Sequence, residues 1–94
     1  MARTLSTRQS QTDDELIEAH LEPDAYWSTA DEWRLKERGV PVWAIIGFLL
    51  PDASNAEQVA RDYGVSSDAV AAAIAYYRRH RAEIDARLAQ NRAA

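Results

Sequence analysis

The first twelve residues carry few large apolar side chains and read as a disordered arm, with one helix-turn-helix domain over 13–90 and a flexible tail over 91–94. Asp13 to His20 predicts a short helix. Thr12 is placed to cap it, acids fill its first turn, and Leu16, Ile17 and Ala19 supply apolar positions. Pro23 biases Glu22 away from helical geometry and closes that element. Asp24 to Asp31 mixes turn-forming residues with Tyr26 and Trp27, as an ordered loop would. Glu32 to Leu35 alternates polar and apolar side chains, Lys36 to Gly39 offers a turn, and Val40-Pro41-Val42 is extended. A short β-hairpin follows, with Pro41 restricting its second strand to an edge. Trp43 to Leu50 reads as a buried helix stopped by Pro51, with Trp43, Ile46, Leu49 and Leu50 as its core positions.

The clearest pattern lies over residues 56–79. Ser54 and Asn55 are suited to cap a helix running to about Tyr63, through Ser54–Glu57 or Asn55–Gln58 capping-box spacing. Gly64 supplies the left-handed residue that ends it. Ser66 caps a second helix, predicted to run unbroken from Ser67 to about Ala89. Val70, Ile74, Tyr77, Ile84 and Leu88 form its apolar stripe, which only Arg81 interrupts. Pairs at four-residue spacing (Arg79–Glu83, Arg81–Asp85, Glu83–Arg87) support its exposed side. Ala60 is small where the two helices cross, and Val59, Val65, Val70 and Ile74 fill the angle between them. The fold class is therefore mostly α: a helix-turn-helix domain with a short β-hairpin and a long C-terminal helix. The far half of that helix extends past the shorter ones and needs a surface to pack on, for which a second subunit is the candidate.

Composition changes this picture in three places. The 94-residue length supports one core, and three Trp with four Tyr exceed what that core needs, so aromatics are available for an interface. Cysteine is absent, which removes disulfides, thiolate nucleophiles and thiolate metal sites. The net charge of −4 conceals a segregation. Eight acids and no Lys or Arg lie between Gln11 and Glu32, whereas five Arg lie between Arg78 and Ala94 against Glu83 and Asp85. Such segregation suits a dimer, a basic partner or a local basic patch. The N-terminal residues lack the apolar run of a secretory signal, and Val40–Leu50 falls short of the roughly 18 residues that span a bilayer. The expectation is a cytoplasmic protein with no membrane segment.

Candidate chemistry is sparse. His80 and Glu83, three apart, supply half of a metal site, and His20 is the only other imidazole. Asp13-Asp14 and Asp31-Glu32 are neighbours whose side chains diverge on a helix, so a solvated acidic face is the simpler reading than acid–base chemistry. Three glycines make no phosphate loop, and nothing marks a nucleophile turn. No catalysis, cofactor or metal is expected. If the helix pair reads DNA, the start of the second helix enters the major groove. It presents Ser66, Ser67, Asp68, Ala71, Ala72 and Ala75, a poor set for base recognition. Phosphate contacts then fall to Arg61, Arg78, Arg79 and Arg81, or to Arg3 and Arg8 of the arm. A packing motif or protein-binding platform explains the same helices. The aromatics Tyr26, Trp27 and Trp33, set among Asp13, Asp14, Glu15 and Glu18, suit a cationic protein partner or serve as core anchors.

The run Gly39-Val40-Pro41-Val42-Trp43-Ala44-Ile45-Ile46-Gly47-Phe48-Leu49, followed by Val59-Ala60-Arg61-Asp62-Tyr63-Gly64-Val65 and Val70-Ala71-Ala72-Ala73-Ile74-Ala75-Tyr76-Tyr77, resembles a bacterial family. It is a set of small antitoxin-like proteins catalogued as the domain of unknown function numbered four-three-three. The resemblance covers about Trp33 to Leu88. It departs before Val40, where many members carry Gly-Thr-Arg and this chain has Lys36-Glu37-Arg38-Gly39. It implies a winged-helix-related fold, a homodimer, and a PIN-like ribonuclease toxin as the partner to be neutralised, with operator DNA as a further partner. The resulting expectation is a type II antitoxin. Its toxin-facing surface is Asp13, Asp14, Glu15, Glu18, Tyr26, Trp27 and Trp33, and its DNA-facing set is Arg61, Ser66, Ser67, Arg78, Arg79 and Arg81. The alternatives are a stand-alone transcriptional regulator and a dimeric scaffold that binds no DNA.

Overall fold

A computed structural model of the chain describes residues 12–27 and 29–93. The expected N-terminal arm, with Arg3 and Arg8, lies outside the described residues apart from Thr12. The fold is mostly helical, with a short antiparallel pair of strands and a long C-terminal helix. In chain order these are α1 (Asp13–His20), β1 (Leu21–Glu22), a 3₁₀ turn (Ala30–Glu32), β2 (Arg34–Leu35), α2 (Val42–Phe48), α3 (Ala56–Tyr63), α4 (Ser67–Arg79) and α5 (Arg81–Ala93).

Helix α1 starts as its sequence dictates. The Thr12 hydroxyl accepts the Glu15 amide, and the Glu15 carboxylate accepts the Thr12 amide, closing a capping box. The strand pairing differs from the expected hairpin. β2 pairs with β1, Leu21 opposite Leu35 and Glu22 opposite Arg34, while Val40–Val42 adds only a bridge between Arg34 and Pro41. The second arm is cut short because α2 begins at Val42 with Pro41 as its N-cap, leaving only the Leu35 N–H to Val40 O and Val42 N–H to Trp33 O bonds. Between the arms, Arg38 and Gly39 both take left-handed φ.

The core is built around α4. Ala69, Val70, Ala72, Ala73 and Tyr76 are buried against Leu21 and Leu35 of the strands, Val42 and Ile45 of α2, Val59 and Ala60 of α3, and Ile84 of α5. Small alanines on α4 let the surrounding helices approach closely. On α2 the buried positions are Val42 and Ile45, one residue out of phase with the expected set. Trp43, Ile46 and Leu49 are partly covered, and Leu50 is exposed.

The predicted helix pair is present, with Gly64 left-handed at the end of α3 and the Ser66 hydroxyl accepting the Ala69 amide at the start of α4. The expected capping role of Asn55 is not. Its side chain instead accepts the Leu50 amide and donates to the Phe48 carbonyl, fastening the end of α2 to the start of α3. The helix expected to run from Ser67 to Ala89 is divided at His80, which leaves helical geometry at φ −130. A straight helix would place Arg81 on its buried stripe. Beyond the break Arg81 is exposed, with its guanidinium over the Tyr77 ring, and Ile84 is buried in the core. Helix α5 then continues to Ala93, past the expected start of a flexible tail.

Candidate functional site

The segregated charges face each other within the chain. Asp13 meets Arg78 at 3.7 Å and Asp14 meets Arg79 at 2.6 Å, so α1 lies along α4 with its acids on that helix's terminal arginines. Asp31 and Glu32 share Arg87, whose guanidinium also covers the Trp43 ring at 5.1 Å. Burial raises the Asp31 carboxyl, but hydrogen bonds from the Thr29 side chain and Arg87 outweigh it and hold the group below its ordinary range. Arg34 reaches Glu22 at 3.0 Å and Asp24 at 3.7 Å. The Tyr76 hydroxyl donates to the Ala30 carbonyl at 2.7 Å, and its ring lies between Trp33 and His80. Burial pushes that phenol well above the usual tyrosine range. Together these contacts form a clasp that fixes the acidic segment to α4 and α5.

Residues assigned to two different partners are thus each other's partners, namely Asp13 with Arg78 and Asp14 with Arg79. Glu15 is engaged in the capping box. Glu18 is exposed, its carbonyl accepting from Lys36 Nζ. Trp33 stacks on Tyr76 with ring centroids 5.2 Å apart, which makes it a core anchor. Arg81 lies over the Tyr77 ring and Arg61 donates to Gln58. Arg81 does not form the pair expected with Asp85, which instead accepts the Tyr77 hydroxyl. Of the residues expected to face DNA on α4, Ala72 and Ala75 are buried, because that side of the helix carries the core.

The N-terminus of α4, where a groove-entering helix would meet nucleic acid, is closed by a carboxylate. Glu37 accepts the Ser66 amide at 3.0 Å and the Ser66 hydroxyl at 2.8 Å. A carboxylate there complements the helix dipole and repels phosphate. No feature of the sequence in isolation paired Glu37 with Ser66. The reach across 29 residues depends on the turn through Arg38 and Gly39.

One part of the acidic segment stays open. Asp24 Oδ1 accepts the amides of Tyr26 at 2.8 Å and Trp27 at 3.1 Å, a side-chain turn that holds both aromatics outward. Those amide bonds lower the Asp24 carboxyl below its ordinary range. Tyr26 is 90% exposed and Trp27 66% exposed. An Asp two residues before an aromatic pair was the available sequence signal for this turn.

His80 sits at the break between α4 and α5, its ring on Tyr76, and among the described residues no cluster of three acidic, His or Cys side chains could hold a metal ion. No described helix is long and apolar enough to cross a membrane. Comparison with family models, curated proteins and solved structures finds no match.

Proposed function

We propose that this chain is a non-catalytic protein-binding module of the antitoxin type, whose contact anchor is the Tyr26–Trp27 turn. The exposure of two large aromatics on an ordered turn carries this reading. An aromatic held in place by backbone hydrogen bonds loses little conformational freedom on docking, and such residues supply most of the energy at protein interfaces. The family resemblance adds the kind of partner, a PIN-like ribonuclease. The basic RNA groove of such an enzyme would receive Tyr26 and Trp27 together with the exposed Glu18 carboxylate.

Direct DNA reading has less support. Glu37 covers the start of α4, and Arg78 and Arg79 already face acids. The helix pair serves as the frame that carries the core.

The test is co-expression with the product of the adjacent reading frame. Co-purification, with inhibition of that protein's RNA cleavage, is the expected result. A chain that leaves cleavage unaffected but shifts its own upstream DNA at physiological salt contradicts the proposal. Point substitutions are needed for mapping, since removal of residues 1–32 takes Leu21 out of the core and α1 off α4.

A further inference from the structure

The Tyr26–Trp27 turn is closed on itself. Asp24 Oδ1 accepts both amides, which fixes the shape of the turn. Among the described residues, no backbone–backbone hydrogen bond joins residues 23–27 to the rest of the fold. The two aromatics, directed into solvent, add little packing of their own. A turn held only from within is free to swing as a unit unless a group outside it takes hold.

The second oxygen of the same carboxylate meets such a group. Asp24 Oδ2 lies 3.7 Å from Arg34 Nη1, while Arg34 Nε donates to Glu22 Oε2 at 3.0 Å. The guanidinium therefore faces two carboxylates along two of its edges, which a planar fork of donors allows and a compact ammonium does not. Arg34 itself is well anchored. It stands in β2 opposite Glu22 of β1, is bridged on its other side to Pro41, and precedes the fully buried Leu35. All three charged side chains are partly covered, which limits screening of the pairs by salt. Among the described residues, Arg34 is the only cation paired with Asp24.

We infer that Arg34 is a positioning residue for the anchor: it holds Asp24 and thereby sets the direction in which the turn presents Tyr26 and Trp27. The inference rests on the reading of that turn as the contact anchor and adds what orients it. The two oxygens of Asp24 divide the task, Oδ1 giving the turn its shape and Oδ2 its direction.

Substitution separates the two oxygens, read by ¹⁵N relaxation on the full chain with no partner present. Asp24→Asn keeps an oxygen that accepts amides and removes the charge that Arg34 holds. Arg34→Met keeps an unbranched stem and removes the cation. Each is expected to lower the order parameters of the Tyr26 and Trp27 amides from about 0.85, the level of rigid backbone, to below about 0.6, while Leu21 and Leu35 keep theirs. The double variant should be no looser than either single one, because both remove the same contact. Arg34→Lys should recover part of the order, since it restores the charge but not the second edge. Order parameters that stay at the rigid level in both single variants, or losses that add in the double variant, would overturn the inference. If Arg34→Met loosens the strand pair as well, Asp24→Asn decides, because it leaves β2 untouched. A loosened turn that leaves binding of the proposed partner unchanged supports this inference and contradicts the anchor reading, so the two fail separately.

Discussion

Helix α1 and the Tyr26–Trp27 turn belong to the same acidic stretch, yet they differ in what their carboxylates hold. Asp13 and Asp14 face Arg78 and Arg79 across a helix–helix contact, so their charge serves the fold. Asp24 binds two amides of its own turn, and the consequence is a pair of aromatics directed outward. Acids of one stretch therefore serve different ends, and the large apolar side chains that this stretch leaves in solvent, Tyr26 and Trp27, stand where a carboxylate binds the amides of its own turn.

Arg87→Ala leaves Asp31 and Glu32 side by side without their cation and uncovers Trp43. For this partly buried cluster the expected loss is about 2–3 kcal/mol in urea unfolding, with the Tyr26–Trp27 turn unaffected. Next, Tyr76→Phe removes the donor to the Ala30 carbonyl. It should cost about 1 kcal/mol while keeping the stack on Trp33. The exposed pairs of α1 come last. Asp13→Asn/Asp14→Asn should cost no more than about 1 kcal/mol together, and less at high salt.

Acid sharpens the contrast. The Asp24 carboxyl is depressed by the amides of Tyr26 and Trp27, so its folded pKa lies below the unfolded value of 3.8. The ordering it provides is complete above 3.8 and is lost as pH falls through the lower folded value. Amide resonances of Tyr26 and Trp27 should lose dispersion in that window, and in Asp24→Ala they should lack it at neutral pH. Asp31 is depressed as well, so the clasp weakens in acid, and because burial raises the Tyr76 phenol it weakens again as pH rises above the ordinary tyrosine range.

Local chemistry was readable from the chain. Thr12, Gly64 and Ser66 do at the helix ends what their side chains and backbone freedom allow, and each acts within a few residues. The elements that differ depend on distant contacts. Leu35 pairs with Leu21 as well as bonding Val40 across the Lys36–Gly39 turn, and the pairing with the distant Leu21 is encoded by no periodicity. Asn55 is drawn from its cap by the free groups at the end of α2. The break at His80 has no local signal, since neither Gly nor Pro stands at or near it. At the candidate site, Tyr26 and Trp27 were identified by type, but Trp33, of the same type and in the same stretch, is covered by Tyr76.

The acidic segment divides into a clasp that holds α1 and the 3₁₀ turn against α4 and α5, and the Tyr26–Trp27 turn proposed as the anchor. Tyr26→Ser/Trp27→Ser and Asp13→Asn/Asp14→Asn are compared for binding to the proposed partner, the product of the adjacent reading frame, and for inhibition of its RNA cleavage, alongside each variant's melting temperature. The aromatic variant is expected to lose about 100-fold in inhibitory affinity at an unchanged melting temperature, while the aspartate variant keeps its affinity. Full inhibition by the aromatic variant, with loss in the aspartate variant, would contradict it.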